Sequence, residues 1–133
     1  MRRLWRWINM ARLWRAGGWL IVAAIVYFSL LKLAIDTDIQ GGDKLGHLLA
    51  YGGLMAWWAQ LYVSTANRLR LGVACIALGA AMELVQGLTP DRYPEWLDLA
   101  ANSAGVLLGW LAAPPRVPNF YARLAAAFPG KPR

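Results

Sequence analysis

The sequence predicts an all-α membrane protein with four transmembrane helices in an up-down bundle and a short N-terminal interfacial helix. Of its 133 residues 59% are apolar and only 16% are charged, whereas a soluble domain carries roughly a quarter charged residues. The apolar residues form four blocks, each near the roughly 17–25 residues that cross a bilayer. Most basic residues also lie on one side of these blocks, which is typical of membrane topology.

The N-terminal arm, residues 1–15, alternates five arginines with tryptophan, leucine and isoleucine. This pattern favours a short helix in the headgroup region, with the arginines reaching phosphates. A signal-peptide n-region is the rival interpretation. Because no small-x-small cleavage site follows the next apolar run, we expect the arm to be retained.

The four apolar blocks define one transmembrane domain, residues 16–113. The predicted spans are residues 17–35, 45–63, 71–88 and 96–113. Trp57, Trp58 and Tyr62 predict an aromatic belt near the end of the second span. Short connections favour an up-down bundle.

Short polar or basic segments separate the predicted spans. Residues 64–70 are interpreted as a basic turn. The fourth span is expected to end at Pro114–Pro115, since proline cannot continue a helix. The remaining basic tail, residues 114–133, is predicted to contain a short surface helix over 121–128. The single cysteine, Cys75, lies inside the third span and is interpreted as a buried packing residue.

The net charge of +7 is unevenly distributed. Eleven of the fourteen basic residues, and none of the seven acids, lie in the arm, the segment 64–70 and the tail. The positive-inside rule therefore places both termini in the cytoplasm and the loops 36–44 and 89–95 outside. Because the basic residues flank apolar blocks and form no long soluble patch, nucleic-acid binding is not expected.

Polar residues gather at the outer ends of the last three spans. Asp43, His47 and Tyr51 share one side of the second span, beside Lys44. The other spans and their loop contribute Glu83, Gln86, Arg92, Asp98 and Asn102. Intramembrane polar groups are expensive unless they are used or satisfied. Their common depth predicts one outward-facing pocket walled by three helices.

Small residues predict how these helices pack. Gly105 and Gly109 lie on the same stripe of the fourth span as Asp98 and Asn102. Gly72 and Gly79 share a stripe of the third span with Glu83. Small residues on a polar stripe let helix backbones approach closely, so both stripes are expected to face the bundle interior.

The residue types suggest proton transfer beside an anion site. His47 suits a general acid or base, with Glu83 and Asp98 as catalytic partners. Lys44 and Arg92 suit an anionic group such as phosphate. The remaining predicted substrate-binding residues are Asp43, Tyr51, Gln86 and Asn102. A single histidine makes zinc improbable, so no metal or cofactor is expected.

A structural interpretation stays open beside the chemical one. Glu83 and Asp98 could instead neutralise Arg92 and Lys44 and thereby lock the helices together. A single histidine at a membrane interface is also more often a satisfied polar residue than a catalyst. A structural lock, however, needs fewer charges than this layer contains.

The order and spacing of these residues resemble the VanZ-like family of small bacterial membrane proteins. The pattern runs from Asp-Lys-x-x-His-x-x-x-Tyr at residue 43, through Glu-x-x-Gln and an arginine, to Asp-x-x-x-Asn-x-x-Gly-x-x-x-Gly at residue 98. The resemblance covers residues 43–110. It implies four helices, a multi-pass location in the bacterial inner membrane, and these shared polar residues. The name-giving member is linked to resistance against the glycopeptide teicoplanin.

Three functions follow from these observations. The first is an enzyme acting at the outer surface on a lipid-linked or cell-envelope substrate. The second is a non-catalytic module that binds a lipid headgroup or a glycopeptide antibiotic. The third is proton-coupled transport through Glu83 and Asp98, which four short helices can accommodate only in a homo-oligomer. The expected partner is a membrane lipid or a lipid-linked anionic substrate.

Overall fold

The computed structural model describes residues 9–30, 42–88, 90 and 93–128. These residues form five α-helices and no β-strand, which confirms the all-α prediction. The helices are α1 Met10–Leu30, α2 Gly42–Leu61, α3 Thr65–Gly87, α4 Trp96–Leu111 and α5 Phe120–Ala127. The predicted surface helix in the tail is therefore confirmed as α5.

Two of the helices, α1 and α3, are long and apolar enough to cross a membrane. Only 6% of the apolar stretch of α1 and 28% of that of α3 is buried inside the protein. Large apolar side chains such as Trp19, Leu20 and Leu84 are about two-thirds exposed, at 65%, 70% and 68%. Among the described residues α2 and α4 do not combine the same length and apolarity, and α4 has only 16 residues.

The first helix crosses the boundary that the sequence predicts after residue 15. It begins at Met10 and continues to Leu30, so residues 10–15 are not part of a separate interfacial helix. The side chain of Asn9 accepts a hydrogen bond from the Arg12 backbone nitrogen at 3.2 Å, which caps the start of the helix. Gly17 and Gly18 do not break it because the indoles of Trp57 and Trp58 pack against them. The rest of the predicted arm, residues 1–8, lies outside the described residues.

The third helix begins six residues earlier than predicted. Ser64 is its N-cap, with φ −71° and ψ 143°, and its hydroxyl accepts a hydrogen bond from the Asn67 backbone nitrogen at 3.3 Å. The prediction of a basic turn over 64–70 is therefore wrong, because residues 65–70 form the first turns of α3. The fourth helix ends at Leu111, shortly before Pro114–Pro115 as expected.

The fold is centred on α2, which packs most extensively against α4. A side chain on Gly105 would collide with the Leu48 carbonyl and lie 3.0 Å from the Gly52 nitrogen, and one on Gly109 would collide with the Gly52 carbonyl. The predicted close approach through this glycine pair is therefore confirmed. Gly79 on α3 likewise faces Asn102 on α4. The most completely buried side chains are Tyr51, Leu54, Met55 and Asn102.

Aromatic side chains fasten α1 to the C-terminal half of α2. The Trp14 and Trp57 rings stack at 4.1 Å, and each indole nitrogen donates to the backbone carbonyl of the other residue, at 3.0 and 2.9 Å. Trp58 is only 8% exposed and packs edge-on against Trp19. The expectation of an aromatic belt is therefore wrong for Trp58, because this residue packs between helices.

The end of α2 is closed by contacts with α3 and α5. Arg68 is 5% exposed and donates to the Tyr62 carbonyl at 3.0 Å and to the Ala59 carbonyl at 3.1 Å. Gln60 accepts a 2.7 Å hydrogen bond from the Phe120 backbone nitrogen, which ties α5 to the bundle. Cys75 is 5% exposed, which confirms the prediction of a buried packing residue.

Candidate functional site

The N-terminal ends of α2 and α4 meet at one end of the bundle and bring His47 against α4. Its Nδ1 atom lies 3.0 Å from Asn102 Oδ1, and its Nε2 atom lies 3.6 Å from Asp98 Oδ2. Asp98 and Asn102 are adjacent on α4 because a separation of four residues is about one helical turn. The imidazole is held between these two side chains while remaining 19% exposed.

Lys44 forms the second part of the cluster. Its Nζ atom lies 2.8 Å from Asp43 Oδ2, 2.9 Å from Glu95 Oε2 and 2.9 Å from Asp98 Oδ1. These hydrogen bonds raise the pKa of Lys44, and the ammonium in turn lowers the pKa of Asp43. The pairing joins α2 to α4, as the locking interpretation requires of Lys44 and Asp98.

Glu95 was missed as a site residue by the sequence reasoning. It occupies the N-cap position of α4, without a side-chain capping bond, and pairs with Lys44 instead. Its position in the sequence could have identified it. It is an acidic residue in the predicted outward loop, immediately before a helix whose first turn carries Asp98.

Glu83 brings the end of α3 into the same cluster. It is 6% exposed, and its Oε2 atom accepts a long, 3.4 Å hydrogen bond from the Glu95 backbone nitrogen. One side-chain ligand atom each from Glu83, His47 and Asp98 all lie within 4.8 Å of one another. The structure therefore brings together the three residues predicted to be catalytic.

Two buried polar atoms of the cluster have no hydrogen-bond partner among the described residues. They are the hydroxyl of Tyr51, which is 2% exposed, and the side-chain nitrogen of Asn102, which is 1% exposed. Buried polar atoms in folded proteins are almost always paired, so these two donors are exceptions within the described residues.

The remaining predicted substrate-binding residues are Gln86 and Arg92. Gln86 is buried and donates to the Ser29 carbonyl of α1 at 2.8 Å, so at least one of its contacts joins α3 to α1. Arg92 lies outside the described residues, and its role as an anion ligand stays a prediction.

The electrostatics of the described cluster favour a cation. It contains the four carboxylates of Asp43, Glu83, Glu95 and Asp98, against one lysine and one histidine. Three of these carboxylates already hold the Lys44 ammonium. Lys44 is therefore poorly placed to bind a phosphate by itself, since its charge is already balanced.

A cavity of about 560 Å³ lies elsewhere, between α1, α2 and α3. Its lining is mostly apolar and includes Trp19, Trp58 and Cys75, with Arg15 and Arg70 at its polar edge. None of the clustered acids, Lys44 or His47 lines it. The cavity is therefore separate from the candidate chemistry.

Comparisons with protein-family models, curated proteins and solved structures found no match for this chain.

Proposed function

We propose that this chain is a multi-pass protein of the bacterial inner membrane, of the VanZ-like type, with four membrane-spanning helices. The motif resemblance over residues 43–110 supports this proposal. The largely unburied apolar surfaces of α1 and α3 also support it. The one-sided distribution of basic residues orients the arm and the tail toward the cytoplasm. The cluster around His47 then faces the outer side.

The proposed activity is that of an enzyme acting at the outer membrane surface on a lipid-linked or cell-envelope substrate. The position of the His47 imidazole, between Asn102 Oδ1 and Asp98 Oδ2, carries this proposal. An imidazole changes charge near neutral pH and can both take up and release a proton. Asn102 fixes the ring, and the carboxylate of Asp98 lies beside Nε2, the nitrogen that would exchange the proton.

The 3.6 Å separation between His47 Nε2 and Asp98 Oδ2 is longer than a hydrogen bond. A substrate oxygen could therefore approach Nε2 without first displacing a strong hydrogen bond. Glu83, in the same group, supplies a further carboxylate for orienting the substrate or sharing a proton.

The second candidate is a non-catalytic module that binds a lipid headgroup or a glycopeptide. The unpartnered Tyr51 hydroxyl and Asn102 amide nitrogen favour it, because a bound ligand could satisfy both. Transport has less support. At the opposite end of α2, Arg68 is occupied by backbone carbonyls, and Gln60 by the backbone of α5. Neither continues a proton path from Glu83.

Membrane orientation is tested with single cysteines in a Cys75→Ala background. Cysteines at positions 37 and 89 should react with an impermeant thiol reagent on intact cells. A cysteine at Ala66, which is exposed near the start of α3, should react only after lysis. Labelling of the Ala66 variant on intact cells would invert the proposed orientation.

Catalysis is tested by incubating purified protein with a bacterial polar-lipid extract and following changes by mass spectrometry. His47→Gln keeps hydrogen bonding but cannot exchange protons near neutral pH. We expect it to slow lipid conversion by roughly a hundredfold or more while lipid binding persists. A wild-type protein that binds lipid without converting it would support the binding module. Conversion that continues unchanged in His47→Gln would refute the acid–base role.

A further inference from the structure

We propose that His47, Glu83 and Asp98 form a binding site for one divalent cation. The three residues come from three different helices, and one ligand atom of each lies within 4.8 Å of the other two. Glu83 and Asp98 are buried, at 6% and 7% exposure. Two carboxylates and an imidazole are a ligand set that divalent cations use in proteins, and modest side-chain movement would bring all three into contact with one ion.

The same cluster contains a second set of acidic residues, and comparing the two sets shows what distinguishes the proposed site. Asp43, Glu95 and Asp98 are as close together, but the Lys44 ammonium lies within 2.9 Å of an oxygen of each. That outer group therefore already contains its cation. The inner group differs because it is more buried and includes an imidazole nitrogen.

The His47 ring is oriented as a metal ligand. Its Nδ1 atom lies 3.0 Å from Asn102 Oδ1, an acceptor, so the contact is a hydrogen bond in the tautomer that carries the proton on Nδ1. In the neutral ring Nε2 then presents a lone pair toward the Asp98 carboxylate, 3.6 Å away. That arrangement is repulsive unless a cation or a second proton lies between the two atoms. Metal-bound histidines commonly donate their other nitrogen to such an acceptor.

An independent observation comes from Tyr51. Its hydroxyl is buried and has no hydrogen-bond partner among the described residues. Tyr51 lies four residues, about one turn, after His47 and therefore on the same side of α2. From that side its hydroxyl would be available to donate to a water or anion bound to the cation. An unpartnered buried group beside a ligand set indicates a site that receives something.

The ligand set favours an ion that accepts both oxygen and nitrogen, and Mn²⁺ is our choice of probe. This inference revises the sequence-based expectation that no metal is bound. For the substrate it rests on the proposed function, but it assigns His47 Nε2 to the cation, so a role as metal ligand would replace the acid–base role of His47. The cation would give an anionic headgroup the positive partner that Lys44, already engaged by three carboxylates, does not provide.

The experiment uses the full chain, purified in detergent, stripped with EDTA and titrated with Mn²⁺. Electron paramagnetic resonance measures free Mn²⁺, and its pulsed form detects ¹⁴N of a bound imidazole. We expect one Mn²⁺ per chain with a ¹⁴N signal. His47→Gln should abolish that signal, and both His47→Gln and Glu83→Gln should weaken binding by roughly tenfold or more. Glu95→Gln is the matched comparison, because it removes the same charge from the outer group and should weaken binding less than Glu83→Gln does.

Three results would overturn the proposal. They are no stoichiometric Mn²⁺ on the wild type, a ¹⁴N signal unchanged in His47→Gln, and equal weakening by Glu95→Gln and Glu83→Gln. The wild-type titration needs no variant, so it decides the question even if a variant misfolds. Absence of Mn²⁺ together with lipid conversion that survives EDTA would overturn the metal site and keep the enzyme. Stoichiometric Mn²⁺ without any lipid conversion would support the site and refute the enzyme.

Discussion

Polar side chains gather at both ends of α2, but they form different kinds of contact there. At the C-terminal end, Arg68, Trp14 and Trp57 donate to backbone carbonyls. At the N-terminal end, Lys44 and His47 contact side chains of α4. Ten residues separate His47 from Trp57, which is roughly 15 Å along a helix.

The two ends therefore differ in role: the contacts at the C-terminal end hold helices together, and the N-terminal end is the candidate site. Backbone carbonyls at a helix end must be satisfied, and Arg68 does this for two of them. The N-terminal end instead concentrates carboxylates and leaves the Tyr51 hydroxyl without a partner among the described residues. An arrangement that only held helices together would not require these features. We therefore expect substitutions at the C-terminal end to affect stability, and those around His47 to affect binding or chemistry first.

The largest expected loss of stability is at the C-terminal end. Arg68→Met keeps the length of the side chain but removes both donors, leaving the buried Ala59 carbonyl and the partly buried Tyr62 carbonyl without them. We expect the free energy of unfolding to fall by about 3 kcal/mol, since each such group costs about 1–3 kcal/mol. The measurement is an SDS titration in mixed micelles, followed by reaction of the buried Cys75 thiol with a maleimide dye.

Arg70→Met is the matched control for Arg68→Met. Arg70 is on the same helix but exposed, so its loss should change the unfolding midpoint little. Equal effects of the two substitutions would mean that Arg68 acts through the overall basic charge of the segment. The contrast between the two ends of α2 would then fail.

The candidate site could be largely predicted from the sequence because its signals are local. His47, Asp98 and Asn102 lie at the start of apolar helices, and a four-residue separation places Asp98 and Asn102 on one side. The glycine pair at 105 and 109 predicted that α4 approaches its neighbour closely. Helix order then brings the polar ends together.

The contacts at the C-terminal end of α2 could not be predicted in the same way, because the partners there are backbone atoms. The sequence does not show that the carbonyls of Ala59 and Tyr62 need a hydrogen-bond donor. From the sequence, Arg68 therefore contributes only to the basic charge that predicts membrane topology. The sequence also does not show that indoles pack against Gly17 and Gly18. It therefore predicts that the first span begins only after residue 15. Orientation relative to a membrane stays a prediction, since it depends on a partner outside the chain.

A smaller effect on stability is expected at Asp98. Asp98→Asn removes one of three carboxylates from Lys44, which keeps Asp43 and Glu95. We expect the unfolding free energy to fall by only about 1 kcal/mol, the upper range for a pair that is not fully buried. The same variant should lose Mn²⁺ binding or lipid conversion. A fall as large as that of Arg68→Met, with function retained, would make Asp98 a structural lock.

The smallest effect is expected at Asp43, whose side chain is 57% exposed. Lys44 lowers the pKa of Asp43 below its ordinary value of 3.8, chiefly by hydrogen bonding. A lowered carboxyl pKa stabilises the folded state above the unfolded pKa, and this contribution is lost as the pH falls through the folded value. Asp43→Asn should therefore reduce the unfolding free energy at pH 7 by roughly a few tenths of a kcal/mol, because solvent screens an exposed pair.

The pH dependence of this small difference is the sharper measurement. The wild-type advantage over Asp43→Asn should be constant from about pH 5 to 8, since Asp43 is ionised in both folded and unfolded states there. It should shrink as the pH falls below 3.8, because the unfolded carboxyl then takes up a proton that the folded one, with its lowered pKa, still lacks. Lys44 does not disturb the comparison, because its raised pKa keeps it charged throughout this range. An advantage that persisted undiminished at pH 2 would show that Asp43 acts without its charge, through the helix start rather than through Lys44.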